Sequence, residues 1–208
     1  MSLSHVATLP RRLVVWLCRF RQRRGYGIHS PFAFSFVTGV VYERGTYYAY
    51  AGLHAARRGT AAALRECDDR LLLRLANAVQ PRHALVWGKR TALTLRYLKA
   101  GCPGCDYLQV TATETTPPAQ AVAGVTPVDL LYVDDAKAWP ALVWATIGHA
   151  GPKACFVIRH IHRDRTARSA WRRFCRDERV RVSFDLYDFG IAFFEARLNK
   201  QDYTVNYF

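Results

Sequence analysis

Two histidines, His160 and His162, stand one residue apart where an apolar run gives out, directly after Arg159. An imidazole has an unperturbed pKa of about 6.5, so either ring can move a proton or hold a substrate near neutral pH. Ordinary loop histidines with local partners are the plainer reading. Asp134 and Asp135 follow the apolar run 128–133, with Lys137 two residues on. A carboxylate in that place can orient a partner, accept a proton or cap the next helix. Gly88 closes another apolar run and, lacking a Cβ, lets backbone come close to a ligand. His29 follows Gly25-Tyr26-Gly27-Ile28; with Tyr26 and Phe32 it could form a cover over a site, or else a clamp packed on the sheet. Cys102-Pro-Gly-Cys105 has no further zinc ligands at a recognisable spacing, and it closes a helix where a redox pair would open one, so it reads as a turn. Gly-x-Ser-x-Gly and Gly-Lys-Ser/Thr are both absent, which removes the signatures of a hydrolase elbow and of a phosphate loop.

These residues need elements to hold them. A basic amphipathic helix is expected over 10–24, with Leu13, Trp16, Leu17 and Phe20 on one face, docked on the core or lying on a membrane surface. Ser30-Pro31 starts a helix running to about residue 42, because the serine oxygen can accept an orphan N–H and proline loses nothing at the first helical position. An aromatic tract follows at Tyr47, Tyr48 and Tyr50. A further helix is expected from about 60 to 79, closing before Pro81. From there short apolar runs alternate with helical segments: 84–87, 91–100, 107–111, 128–133, 139–150, 154–158 and 165–176. That alternation predicts parallel strands with crossover helices, and ligands of such sheets gather at the carboxyl ends of the strands, here Gly88 and Asp134. The runs 181–187, 191–197 and 203–208 predict antiparallel strands finishing one edge.

The chain has 208 residues, 50 % of them hydrophobic, 13 % aromatic and 22 % charged. A disordered, collagen-like or coiled-coil chain is excluded, and about 70 % of the extended chain's surface is buried on folding. The apolar run 13–18 is far short of the ~20 residues of a membrane-spanning helix, and the arginines at 19–24 stand where a signal cleavage site would lie. A cytoplasmic protein with six reduced cysteines is expected. Net charge is +14, unevenly spread: residues 1–60 hold nine arginines against the single acid Glu43, and 152–208 hold twelve basic and seven acidic residues. The basic N- and C-terminal regions favour an anionic partner without choosing among nucleic acid, acidic lipid and phosphorylated metabolites, and solubility alone is the other explanation.

The strand–Gly88 turn, Val128-Asp129-Leu130-Leu131-Tyr132-Val133-Asp134 and the three closing strands resemble class I S-adenosylmethionine-dependent methyltransferases over roughly residues 60–208. Gly25-Tyr26-Gly27-Ile28-His29-Ser30-Pro31-Phe32 and the segment from Phe184-Asp185-Leu186 to Phe194 resemble, more narrowly, a bacterial subgroup of O-methyltransferase-like proteins. The resemblance implies a Rossmann-like, doubly wound, mostly parallel sheet with antiparallel C-terminal strands, preceded by a basic helical extension or cover over 1–59. It implies S-adenosylmethionine as cofactor, held by Trp87, Gly88, Lys89, Thr91, Glu114 and Asp134. Asp134, His160 and His162 would be catalytic, and Tyr26, His29 and Phe32 would meet a small-molecule acceptor whose identity is open.

Departures from the family pattern matter as much. Ala92 and Val86 stand where family members often have a glycine and an acid, and Glu114 lies three residues beyond the position expected of the ribose-binding acid. Metal-dependent relatives carry a second acidic cluster where this chain reads Arg159-His160, so no metal is expected. Asp134-Asp135-Ala136-Lys137 is similar to the corresponding tract of catechol-type O-methyltransferases. The alternative is a catalytically inactive methyltransferase-fold protein, kept as a basic module for RNA, another polyanion or a protein, with the arginines of 163–176 contributing.

Overall fold

The computed structural model describes residues 13–22, 25–58, 60, 62–111, 122 and 126–207. A short helical stretch covers 13–18. After it come α1 (Pro31–Phe36), which runs on into a π-helical turn Val37–Val41, α2 (Tyr50–Arg57) and α3 (Glu66–Val79). The alternating part comprises β1 (His83–Gly88), α4 (Ala92–Gly101), β2 (Asp106–Val110), β3 (Val128–Asp134), α5 (Trp139–Thr146), β4 (Ala150–Arg159) and α6 (Arg165–Arg176). The chain finishes with β5 (Val182–Asp185), β6 (Phe189–Phe193) and β7 (Gln201–Thr204).

The seven strands form one sheet in the order β2-β1-β3-β4-β6-β5-β7. Antiparallel pairing is confined to β6 with its neighbours β4 and β5, and β7 runs parallel to β5. The expected antiparallel finish is thus corrected for the last strand. The edge of β6 is already occupied by β5, so the chain passes the start of β5 and turns up beside it. Gln201 N–H donates to Arg181 O at 2.8 Å and so fixes that return.

Alternate residues of the buried strands feed two cores, as a period of two requires. Val86, Leu130, Tyr132, Val157 and Phe184 face α1 and α3, whereas Leu85, Trp87, Val133, Phe156 and Ile158 face α5 and α6. Ser30 caps α1 as its spacing predicts, its hydroxyl accepting from Ala33 N–H at 3.4 Å. Helix α3 starts at Glu66, later than expected, and Glu66, Asp68 and Asp69 then sit in its first turn, where the helix dipole favours negative charge. The short helical stretch leaves Leu13, Leu17 and Phe20 about half exposed, so docking on the core is realised only in part, through Asn206 Nδ2 donating to Trp16 O at 3.0 Å and through Arg19. Among the described residues no helix is long and apolar enough to cross a membrane.

Candidate functional site at the strand tips

The chain leaves β1 toward β2 on one side and returns to β3 on the other, so the sheet's switch point lies between β1 and β3. Open sheets bind ligands outside the carboxyl ends of the strands at such a point. In register, the two residues found there are Gly88 and Asp134. A Cβ on Gly88 would lie 3.0 Å from Asp134 O, 3.1 Å from Asp134 Cβ and 2.8 Å from Thr91 Cγ2, so only glycine allows the two tips this approach. Thr91 is buried and accepts from Gln109 Nε2 of β2 at 2.9 Å, which ties the turn to the neighbouring strand. Lys89 is exposed beside it, and Trp87 is buried, its Nε1 having no hydrogen-bond partner among the described residues.

Asp134 Oδ1 accepts from Arg159 Nη1 at 2.6 Å and lies 3.0 Å from His160 Nε2. Burial pushes the Asp134 carboxyl upward, but the His160 hydrogen bond and the Arg159 charge outweigh it and hold the group below the usual carboxylate range. His160 takes a left-handed backbone conformation, φ 65°, which turns its ring back toward β3 as the chain leaves β4. Arg159 also lies over the Phe189 ring at 5.9 Å, while its Nε and the Tyr132 hydroxyl are buried without a partner among the described residues. Asp135 serves the backbone locally, its Oδ1 accepting from Lys137 and Ala138 N–H, each at 2.9 Å, ahead of α5.

The structure therefore brings Gly88, Thr91, Asp134 and His160 together, with Trp87 buried at the start of the same turn. It does not bring His162. That ring sits 2.6 Å from Asp185 Oδ2 at the end of β5 and stacks on Tyr187 at 5.1 Å, while Arg19 Nη1 donates to Asp185 Oδ1 at 3.0 Å. Here too burial acts upward on the carboxyl, and His162 and Arg19 carry the net shift downward. Nor does the structure carry Phe32 to the tips: it packs edge-on against Phe193, which pairs with Cys155, four positions before the end of β4. Phe32 anchors α1 on the sheet, and Tyr26 and His29 on the preceding segment are exposed. Glu114 lies outside the described residues. Arg159 as the direct partner of Asp134, and the whole Asp185 cluster, were missed by the sequence reading; acids and cations at the ends of successive parallel runs were the available signal.

No protein-family model matches the chain, and no curated protein matches its sequence. Solved structures do match. An O-methyltransferase from Bacillus cereus, in complex with SAH, superposes with a TM-score of 0.53 at 14 % identity over 76 % of this chain and 94 % of its own. A candidate O-methyltransferase from Klebsiella pneumoniae gives 0.56 at 13 % identity, over 74 % and 92 %. The fold is that of class I S-adenosylmethionine-dependent methyltransferases. A methyltransferase from Geobacter sulfurreducens shares the methyltransferase fold over 79 % of this chain and 96 % of its own, with a TM-score of 0.50 at 11 % identity. At such identities only the architecture is shared, and function rests on the site itself.

Proposed function

We propose that the chain is an S-adenosylmethionine-dependent O-methyltransferase that works without a divalent cation, its cofactor lying at the tips of β1 and β3. The observation carrying this reading is the close approach of Gly88 to Asp134 at the switch point, with His160 hydrogen-bonded to the same carboxylate. The residues present fit the cofactor's amino-acid end. The first N–H groups of α4 have no side-chain cap, and Lys89 and Arg90 are exposed beside them, a setting that suits a carboxylate. When bound, the cofactor supplies an electrophilic methyl group on a sulfonium.

The chain's own residues then have separable roles. Asp134 is ionised, hence an acceptor only, so His160 Nε2 carries the hydrogen of that bond. Nδ1 keeps its lone pair and takes the proton of an acceptor hydroxyl. Arg159 keeps Asp134 anionic and fills the place of a positive charge beside it. A divalent cation would have to displace that guanidinium from Asp134, which supports the metal-independent reading. Transfer of labelled methyl groups from S-adenosylmethionine to a panel of hydroxyl-bearing small molecules tests it. His160→Gln should lower the rate by about a hundredfold or more with SAH binding retained; an unchanged rate removes His160 from the chemistry.

A second reading is favoured by the same contact. With Asp134 already engaged by Arg159, the tips can serve as structure in an inactive member of the fold, and the absence of methyl transfer to any hydroxyl compound, in protein that is folded, would select it.

A further inference from the structure

A polar groove lies away from Asp134, between α6 and the sheet edge formed by β5 and β7. It encloses about 440 Å³, a volume within the range of small-ligand sites. One wall is a stripe of α6: Arg168, Arg172 and Arg176 recur every four residues and so share a face, spanning about 12 Å along the helix at 1.5 Å per residue. Arg172 and Arg176 are exposed and have no carboxylate partner among the described residues.

The floor has the opposite character. Ser183, Asp202 and Thr204 line it, and Ser183 Oγ donates to Asp202 Oδ1 at 2.6 Å. Asp202 is exposed and keeps a second oxygen for other donors. Asp185 closes one end, but its charge is met by Arg19 and His162. A ligand that suits this groove has an anionic group for the helix wall and hydroxyl groups for the floor. Arginine favours phosphate oxygens through paired, charge-assisted hydrogen bonds, and carboxylates accept sugar hydroxyls.

We infer that this groove is a binding site for a small phosphate ester of a polyol or sugar, held by Arg172 and Arg176 at its phosphate and by Asp202 at its hydroxyls. The site is separate from the strand tips and stands whether or not the chain transfers methyl groups.

Calorimetric titration of the whole chain with ribose 5-phosphate and glucose 6-phosphate tests it, with free ribose and inorganic phosphate as references. Saturable binding of a phosphate ester is expected, tighter than that of inorganic phosphate and absent for ribose. Arg172→Ala and Arg176→Ala should each weaken it by about tenfold or more. Both side chains are exposed, so the thermal midpoint and any SAH affinity should not move. Failure of every phosphate ester to bind at millimolar concentration overturns the inference, as does binding that the two variants leave unchanged. Binding confined to an RNA oligomer, falling steeply with salt and not competed by monomeric phosphates, overturns it in favour of a polyanion surface.

Discussion

A carboxylate at the end of β3 loses most of its water and yet stays charged, because Arg159 and His160 both meet one of its oxygens. Asp185 repeats the arrangement with Arg19 and His162. Both groups have lower pKa values folded than unfolded, so their stabilisation is complete above the ordinary carboxylate range, about pH 4, and is lost as the pH falls through the folded values. Denaturant unfolding from pH 7 down to pH 2.5 should show that acid limb. Asp134→Asn and Asp185→Asn should flatten it and cost about 1–3 kcal/mol at pH 7, since a guanidinium is left without its counter-charge. An acid limb of unchanged slope in both variants would contradict the assignment. The thiols make a second residue-scale prediction. Cys18 and Cys67 are exposed, while Cys102, Cys155 and Cys175 are buried, and burial pushes Cys175 up to about 12. A thiol reagent at neutral pH should modify the exposed pair in the folded protein and the buried three only after unfolding. Gly88 and Asp134 were legible in the sequence because each ends an apolar run. The Arg159 contact was not, since it joins the ends of two different strands and no local spacing encodes which cation turns toward which acid.

Elements are held by a few specific contacts. The helix begun by α1 ends at Val41, so its last carbonyls have no donor within the helix, and the buried Arg74 of α3 supplies them: Nε reaches Val40 O at 2.7 Å and Nη2 reaches Val41 O at 3.3 Å. Arg74→Met keeps much of the bulk but orphans those carbonyls, and should lower unfolding free energy by about 2–4 kcal/mol in urea titrations. Helix α4 crosses α3 at Gly101, where a Cβ would lie 2.2 Å from Leu73 O. Gly101→Ala must push the two helices apart and should cost about 1–3 kcal/mol or more by the same measurement. A neutral outcome at either position would show that the packing is looser than described. Most of these elements could be read from period and capping: α6 begins and ends where its pattern predicts, and Asp164 caps it by accepting from Ala167 N–H at 2.8 Å. Helix α2 went unread, because its Tyr50 looks like one residue of an aromatic tract until the contact with Arg70, whose guanidinium lies 4.5 Å above the ring, gives it a core position.

At the scale of the molecule, the alternation of apolar runs and helical segments was enough to predict the mostly parallel, doubly wound sheet, whereas the direction of β7 depended on which sheet edge was free, a property of the whole assembly. The excess positive charge likewise acquires a location only in three dimensions, where Arg168, Arg172 and Arg176 of α6 line one groove while Arg19 and Arg159 are consumed by internal carboxylates. The central claim concerns the switch point between β1 and β3, and calorimetric titration of the intact chain with SAH tests it most directly. The account predicts saturable binding at one site per chain, weakened at least about tenfold by Gly88→Ala in protein whose circular dichroism is unchanged. Absence of heat and of any thermal shift at millimolar SAH, in folded wild-type protein, would contradict it.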